Sequence, residues 1–290
     1  MKPLIVITGP TAVGKTSISI ELAKHFNGEI INADASQMRK YLNVGTAKIT
    51  SEEMDNVPHH LIDFLDPNET FSIKDFQDKG RQIISNIKTP FIVGGSGLYI
   101  QALITDYQLD DNPRNEEEFS NLSNEDLYNI LLELDPISAN KTHPNNRRRV
   151  LRYIEIARSS GDAIPKTPED LYNTLVICLS RDRKALYDNI NRRCLYMLEN
   201  GWIEECINLI EMGYDLAKIK DIGYQDINQF LNNEVTFNEL VNIISQKQRR
   251  YAKRQMTWFR NKMNCTFIDL EKEEKEVLYK LIDDHLKANS

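Results

Sequence analysis

Four cysteines occur in 290 residues, Cys178, Cys194, Cys206 and Cys265, and no two are spaced as C-x-x-C. That spacing excludes a disulfide framework or a cysteine-based zinc site as the organising feature. No stretch nears the roughly 18 apolar residues needed to cross a bilayer. The opening apolar run is too short for a signal peptide, so a soluble, cytoplasmic chain with no membrane partner is expected. A basic excess is missing too: the formal net charge is -7, against the usual balance of a nucleic-acid-binding domain. There is no internal repeat and no low-complexity tract. What the chain does have is 41% hydrophobic residues, enough for a core in one large domain or two ordinary ones.

The net charge conceals clustering. Residues 139–152 hold five basic side chains and no acid: Lys141, Arg147, Arg148, Arg149 and Arg152. Residues 246–262 hold seven, again with no acid: Lys247, Arg249, Arg250, Lys253, Arg254, Arg260 and Lys262. A charge run is usually a solvated helix face. Three adjacent arginines without a nearby acid instead favour contact with a nucleic-acid backbone.

Residues 4–8 form a short β-rich run, followed by a glycine loop and then by apolar residues at helical intervals over 16–26. Residues 29–33 read as a second strand. Pro90–Val93 reads as a third, breaking into Gly94-Gly95-Ser96-Gly97, and 174–179 as a fourth. Strands separated by helical stretches imply an α/β fold with a parallel sheet. Between about 110 and 168 the strand signal disappears, leaving helices at 125–134 and 145–160. The expected division is a P-loop NTPase-like core over 1–110, a helical insertion domain over 111–170, and a returning core over 171–290. That last part is expected to hold one strand and C-terminal helices at 183–200, 204–212, 225–231 and 237–262. Ligands of such sheets gather beyond the carboxyl ends of the strands, so Gly9, Asp34 and Gly94 should meet in one crevice.

Gly9-Pro10-Thr11-Ala12-Val13-Gly14-Lys15-Thr16 fits G-x-x-x-x-G-K-[ST] between a strand and a helix, the context that makes the pattern credible. Glycines let consecutive N–H groups point inward, the helix start adds a positive dipole end, Lys15 adds charge, and the Thr16 hydroxyl can hold Mg²⁺. NTPases place a metal-binding Asp at the end of a second apolar strand. Here Pro90–Val93 ends in glycines, and Asp63 follows only two apolar residues, which leaves room for a loop that holds a pyrophosphate leaving group. Asp34 is either a turn or helix-capping aspartate or a general base; Ser96 is either a turn residue or a substrate-orienting hydroxyl. His59 and His60 point different ways on any regular element and read as structural. Trp258 and Phe259, beside Met256 in an amphipathic helix, read as core.

The phosphate loop belongs to a longer series of motifs: Ile31-Asn32-Ala33-Asp34-Ala35-Ser36-Gln37, Val44-Gly45-Thr46-Ala47-Lys48, His59-His60-Leu61-Ile62-Asp63, Gly94-Gly95-Ser96-Gly97-Leu98-Tyr99, His143-Pro144-Asn145-Asn146-Arg147-Arg148-Arg149-Val150-Leu151-Arg152, Ile222-Gly223-Tyr224 and Tyr251-Ala252-Lys253-Arg254-Gln255-Met256-Thr257-Trp258-Phe259-Arg260. Together, over nearly the whole chain, they resemble the bacterial tRNA dimethylallyltransferase family. That resemblance implies transfer of a dimethylallyl group from dimethylallyl pyrophosphate to N6 of the adenosine 3′ of the anticodon in tRNA. It implies pyrophosphate binding by residues 9–16 and by Arg193, with Mg²⁺ at Thr16. Asp34 and Ser96 would be catalytic. Contact with the tRNA anticodon stem-loop would come from Asp34, Ala35, Ser36, Gln37, Ser96, Arg114, Arg148, Arg149, Val150, Leu151, Arg152, Arg249, Arg250 and Arg254. The chain departs from the family at Ser96, usually threonine, at Ala35, often serine, at Arg39, often tyrosine, and at Asn189, often arginine. A monomer is the default expectation. The competing readings are a small-molecule kinase using ATP at the same loop and a non-catalytic RNA-binding module.

Overall fold

The computed structural model describes residues 1–107, 118–160 and 168–289. The chain divides into two compact units, Met1–Gln108 with Glu169–Ser290, and Leu109–Pro168.

The larger unit is built on β1 (Pro3–Thr8), β2 (Glu29–Asn32), β3 (His59–His60), β4 (Pro90–Val93), β5 (Asn173–Ser180) and β6 (Thr266–Asp269), in the order β3-β2-β4-β1-β5-β6 with every neighbouring pair parallel. Alternate strand residues serve two separate cores. Ile5, Ile7, Ile30, Phe91, Ile177 and Leu179 face one side, while Leu4, Val6, Ile31, Ile92, Val176 and Cys178 face the other. A parallel sheet buried on both faces needs apolar residues at both parities, which is why its strands read as continuous apolar runs.

The first face is covered by α1 (Lys15–His25) and by residues of α7 (Arg183–Met197), α10 (Phe237–Lys262) and α11 (Glu276–Lys287). The second face is covered by α2 (Ile73–Asn86), α3 (Gly97–Ile104) and Phe259 from α10. A third cluster, with Trp202 and Tyr224 at its centre, joins α7 and α10 to α8 (Ile203–Glu211) and α9 (Tyr224–Leu231). Both α2 and α10 start on reciprocal capping boxes, Ser72 with Asp75 and Thr236 with Glu239, each satisfying two end donors.

The smaller unit contains α4 (Asn124–Leu134), α5 (Pro136–Asn140) and α6 (Arg147–Ser160) around Phe119, Leu127, Leu131, Ala139, Val150 and Ile154. The Arg147 guanidinium donates to the carbonyls of Phe119 at 2.5 Å and Leu122 at 2.7 Å, tying the start of α6 to the segment ahead of α4.

Two expectations need correction. The returning core holds two strands: β6 was hidden because only one of its four residues is buried, so its apolar signal is weak. Val150 is fully buried in the core of the smaller unit, which assigns it to packing rather than to RNA contact.

Candidate active site

Gly9 follows β1 at φ +142°, and a Cβ there would lie 2.5 Å from the Leu179 carbonyl oxygen. Only glycine lets the loop pass so close to β5. Ala12 and Gly14 also adopt positive φ, 63° and 106°, turning the loop on itself before α1. Val13 points its side chain into the core and so offers the crevice only its backbone. No side chain caps α1, which leaves its first N–H groups and the positive end of its dipole open to an anion.

The loop borders a cleft of about 1170 Å³ whose lining includes Thr11, Lys15, Thr16, Asp34, Arg193 and Gln255. Lys15 Nζ folds back onto the carbonyls of Gly9 at 3.0 Å and Pro10 at 2.9 Å. Burial lowers its pKa to about 8, more than the negative charge of Asp34 restores. Burial likewise raises the pKa of Asp34, against the opposing pull of Lys15 and its bond from Ser36 N–H. Both groups therefore shift towards neutrality, the signature of a site shielded from water. Arg193 donates to the Thr11 hydroxyl at 2.5 Å, while its buried Nε has no partner.

Asp34 combines the two readings available from sequence. Its Oδ1 accepts from Ser36 N–H at 3.1 Å, a local turn, while the residue also lines the cleft that the phosphate loop borders. Ser96 Oγ accepts from Ala35 N–H at 3.5 Å and bonds the Tyr251 hydroxyl, tying the turn after β4 to the one after β2. Gln37 lines the same cleft, and the Ser36 hydroxyl donates to Asp221. These groups come from three loops at the carboxyl edge of the sheet, as the crossover topology requires.

Three polar partners were not singled out from the sequence. Gln255, on α10, accepts from Thr11 N–H at 2.9 Å and donates to Gly95 O at 3.0 Å, bridging the phosphate loop and the turn after β4. A Cβ on Gly95 would lie 2.2 Å from Gln255 Nε2, which accounts for that glycine. Tyr251 is pushed to about 12 by burial first and by Asp34 second, so its phenol stays protonated beside the carboxylate. Asp221 also approaches the Arg39 guanidinium at 3.9 Å. The doublet Gly94-Gly95 hinted that something packs closely, but no local pattern says what.

The basic side chains fall in two places. Arg148 and Arg149 are exposed on α6, with Arg149 stacked over Tyr153 at 5.5 Å; Leu151 is half-buried, and Arg152 approaches Glu155 at 3.6 Å. In the larger unit Arg249 donates to Asn191 at 2.5 Å, Arg250 is exposed, and Arg254 stacks over Tyr251 at 5.7 Å. Arg114 lies outside the described residues. Asp63 is paired with Lys48 at 2.6 Å, and His60 with Glu29 at 2.7 Å. Among the described residues no three His, Cys, Asp or Glu side chains gather to hold a metal, and no helix is long and apolar enough to cross a membrane.

Fold and site together define an α/β protein of the P-loop class. The IPP transferase family profile matches residues 37–262, and the isopentenyl transferase profile matches residues 2–64. The tRNA dimethylallyltransferase of Anoxybacillus flavithermus is 42% identical over 95% of both chains. A crystal structure of the full-length tRNA isopentenylpyrophosphate transferase from Bacillus halodurans aligns over 99% of this chain and 98% of that one, at 40% identity and TM-score 0.75. A structure of a eukaryotic dimethylallyltransferase acting on tRNA aligns at 26% identity and TM-score 0.87, covering 100% of this chain and 80% of that one. The chain belongs to the IPP transferase family, and it is a transferase. The kinase alternative loses its support, because relatives of this identity and coverage are named tRNA dimethylallyltransferase and tRNA isopentenylpyrophosphate transferase.

Proposed function

We propose that the protein transfers a dimethylallyl group from dimethylallyl pyrophosphate to N6 of the adenosine immediately 3′ of the anticodon in tRNA. The observation that carries this reading is that Asp34 lines one cleft together with Lys15, Arg193 and Thr16 at the uncapped start of α1. N6 attacks the allylic CH₂ carbon as the carbon–oxygen bond to diphosphate breaks. Asp34 takes the N6 proton, and the leaving diphosphate carries the bonding electron pair. Its growing charge meets Lys15, Arg193 and the loop N–H groups, which are already oriented and need little reorganisation. The raised pKa of Asp34 makes it a better base than an ordinary carboxylate, provided that the pH keeps it ionised.

Thr16, whose hydroxyl is a hard oxygen donor, lines the cleft at the start of α1. That donor set fits Mg²⁺, which is held through few protein ligands together with substrate phosphates and water. When bound there, Mg²⁺ would neutralise diphosphate charge. Reaching an adenine in a stacked loop requires flipping it out at a cost of roughly a few kcal/mol. Arg148 and Arg149, both exposed on α6, would hold the RNA backbone while that happens.

The test is incubation of purified protein with dimethylallyl pyrophosphate, Mg²⁺ and unmodified tRNA, followed by nucleoside mass spectrometry. The expected product is N6-dimethylallyladenosine. Asp34→Ala is expected to keep tRNA binding and lower transfer by roughly 10²-fold or more. Phosphate transfer from labelled ATP without prenylation would overturn the reading.

A further inference from the structure

Glu205, on α8, does not line the cleft, yet it holds one of its walls. Its Oε2 accepts the N–H groups of Asn43 and Val44, both at 2.6 Å, and its Oε1 accepts that of Gly45 at 3.1 Å. The Tyr224 hydroxyl donates to Oε1 at 2.8 Å, and burial together with the Glu205 charge keeps that phenol protonated. Successive N–H groups converging on one point make an anion-binding concavity. Here the chain supplies the anion itself. The fit is close: a Cβ on Gly45 would lie 2.2 Å from Trp202 Nε1 and 2.5 Å from the Tyr224 hydroxyl oxygen.

The same turn faces the cleft on its other side. The carbonyls of Thr46 and Ala47 accept from Gln37 Nε2 at 3.3 and 3.1 Å, and Gln37, Thr46 and Ala47 all line the cleft with Asp34. The chain of contacts runs from a carboxylate in the helical layer, through a turn, to an amide three residues beyond Asp34. At the diphosphate end Lys15 bonds Gly9 and Pro10, and Thr11 bonds Gln255 and Arg193; none of these bonds reaches this turn. We infer that Glu205 is a positioning residue for the acceptor base: by anchoring residues 43–45 it fixes Gln37 in the wall that receives the adenine. This rests on the prenyl-transfer reading.

Glu205→Gln keeps the shape but sets an amide N–H against backbone donors. The expected result is a roughly tenfold rise in KM for tRNA, the scale of losing charge-assisted bonds, with KM for dimethylallyl pyrophosphate unchanged. The melting transition should stay cooperative and within about 5 °C of wild type. Adding Glu205→Gln to Gln37→Ala should cost little beyond Gln37→Ala alone, because the two act through one contact. If Glu205→Gln does not fold, Tyr224→Phe, which removes one bond to the carboxylate and leaves the three N–H bonds, carries the same test with a smaller rise. An unmoved KM for tRNA, equal changes in both KM values, or additive effects of the two substitutions would overturn the inference. Absence of product from the wild-type protein would instead defeat the proposed function.

Discussion

Lys15 offers the sharpest test of the diphosphate site. In the free protein burial holds its pKa at about 8, and its Nζ is satisfied only by the carbonyls of Gly9 and Pro10. A bound diphosphate brings negative charge to the ammonium and restores the protonated form. Binding should therefore draw in about 0.5 proton at pH 8 and about 0.9 at pH 9. With Lys15 protonated throughout the complex, affinity should fall roughly 15-fold, about 1.6 kcal/mol, from pH 8 to pH 9.5. Tyr251 and Cys178, both pushed by burial to about 12, stay outside that window. The assay is isothermal titration calorimetry with dimethylallyl pyrophosphate and no tRNA, run in two buffers of different ionisation enthalpy to count protons. Lys15→Met should bind more weakly and lose the alkaline limb. A flat affinity between pH 8 and 9.5 in the wild type, or an unchanged limb in Lys15→Met, would refute the reasoning.

Burial raises the pKa of Asp34, so the acidic limb of kcat/KM should lie above the ordinary carboxylate value of 3.8; a pH–rate profile with its limb at or below that value would reject Asp34 as the titrating base. Gly9→Ala places a Cβ 2.5 Å from the Leu179 carbonyl at a φ of +142°, so thermal unfolding should report a loss of about 1–3 kcal/mol, and an unchanged melting temperature would show that the loop relaxes freely. Replacing Arg148 and Arg149 together by Ala should weaken tRNA binding and reduce the salt slope of log K by about 2 in a titration against ionic strength; if neither changes, the RNA surface lies elsewhere.

What could be read directly was local. The loop from Gly9 to Thr16 carries its chemistry in eight consecutive residues, because the dipole, glycine conformations and lysine reach are all set within one strand–turn–helix unit. Strands buried on both faces announce themselves as apolar runs, and α10 as a long amphipathic period starting after Thr236. The helix α2 was also legible, through Ser72 and Asp75 ahead of Phe76, the pattern of a capping box. The strands β3 and β6 were not, since one has two residues and the other is mostly exposed at the sheet edge.

By itself, then, the order of residues determined a phosphate loop, a parallel sheet, a carboxylate at the tip of the second strand and two arginine-rich helices. Tertiary structure alone decided which distant polar groups complete the cleft. Gln255 meets Thr11 across 244 residues, and Glu205 meets Gly45 across 160. Likewise Val150 is packed inward while Arg148 and Arg149 remain outside. Periodicity reports which face of an element is apolar, because burial scales with area along the helix or strand. A polar side chain's partner depends instead on a few ångströms of three-dimensional approach, and no spacing along the chain encodes that distance.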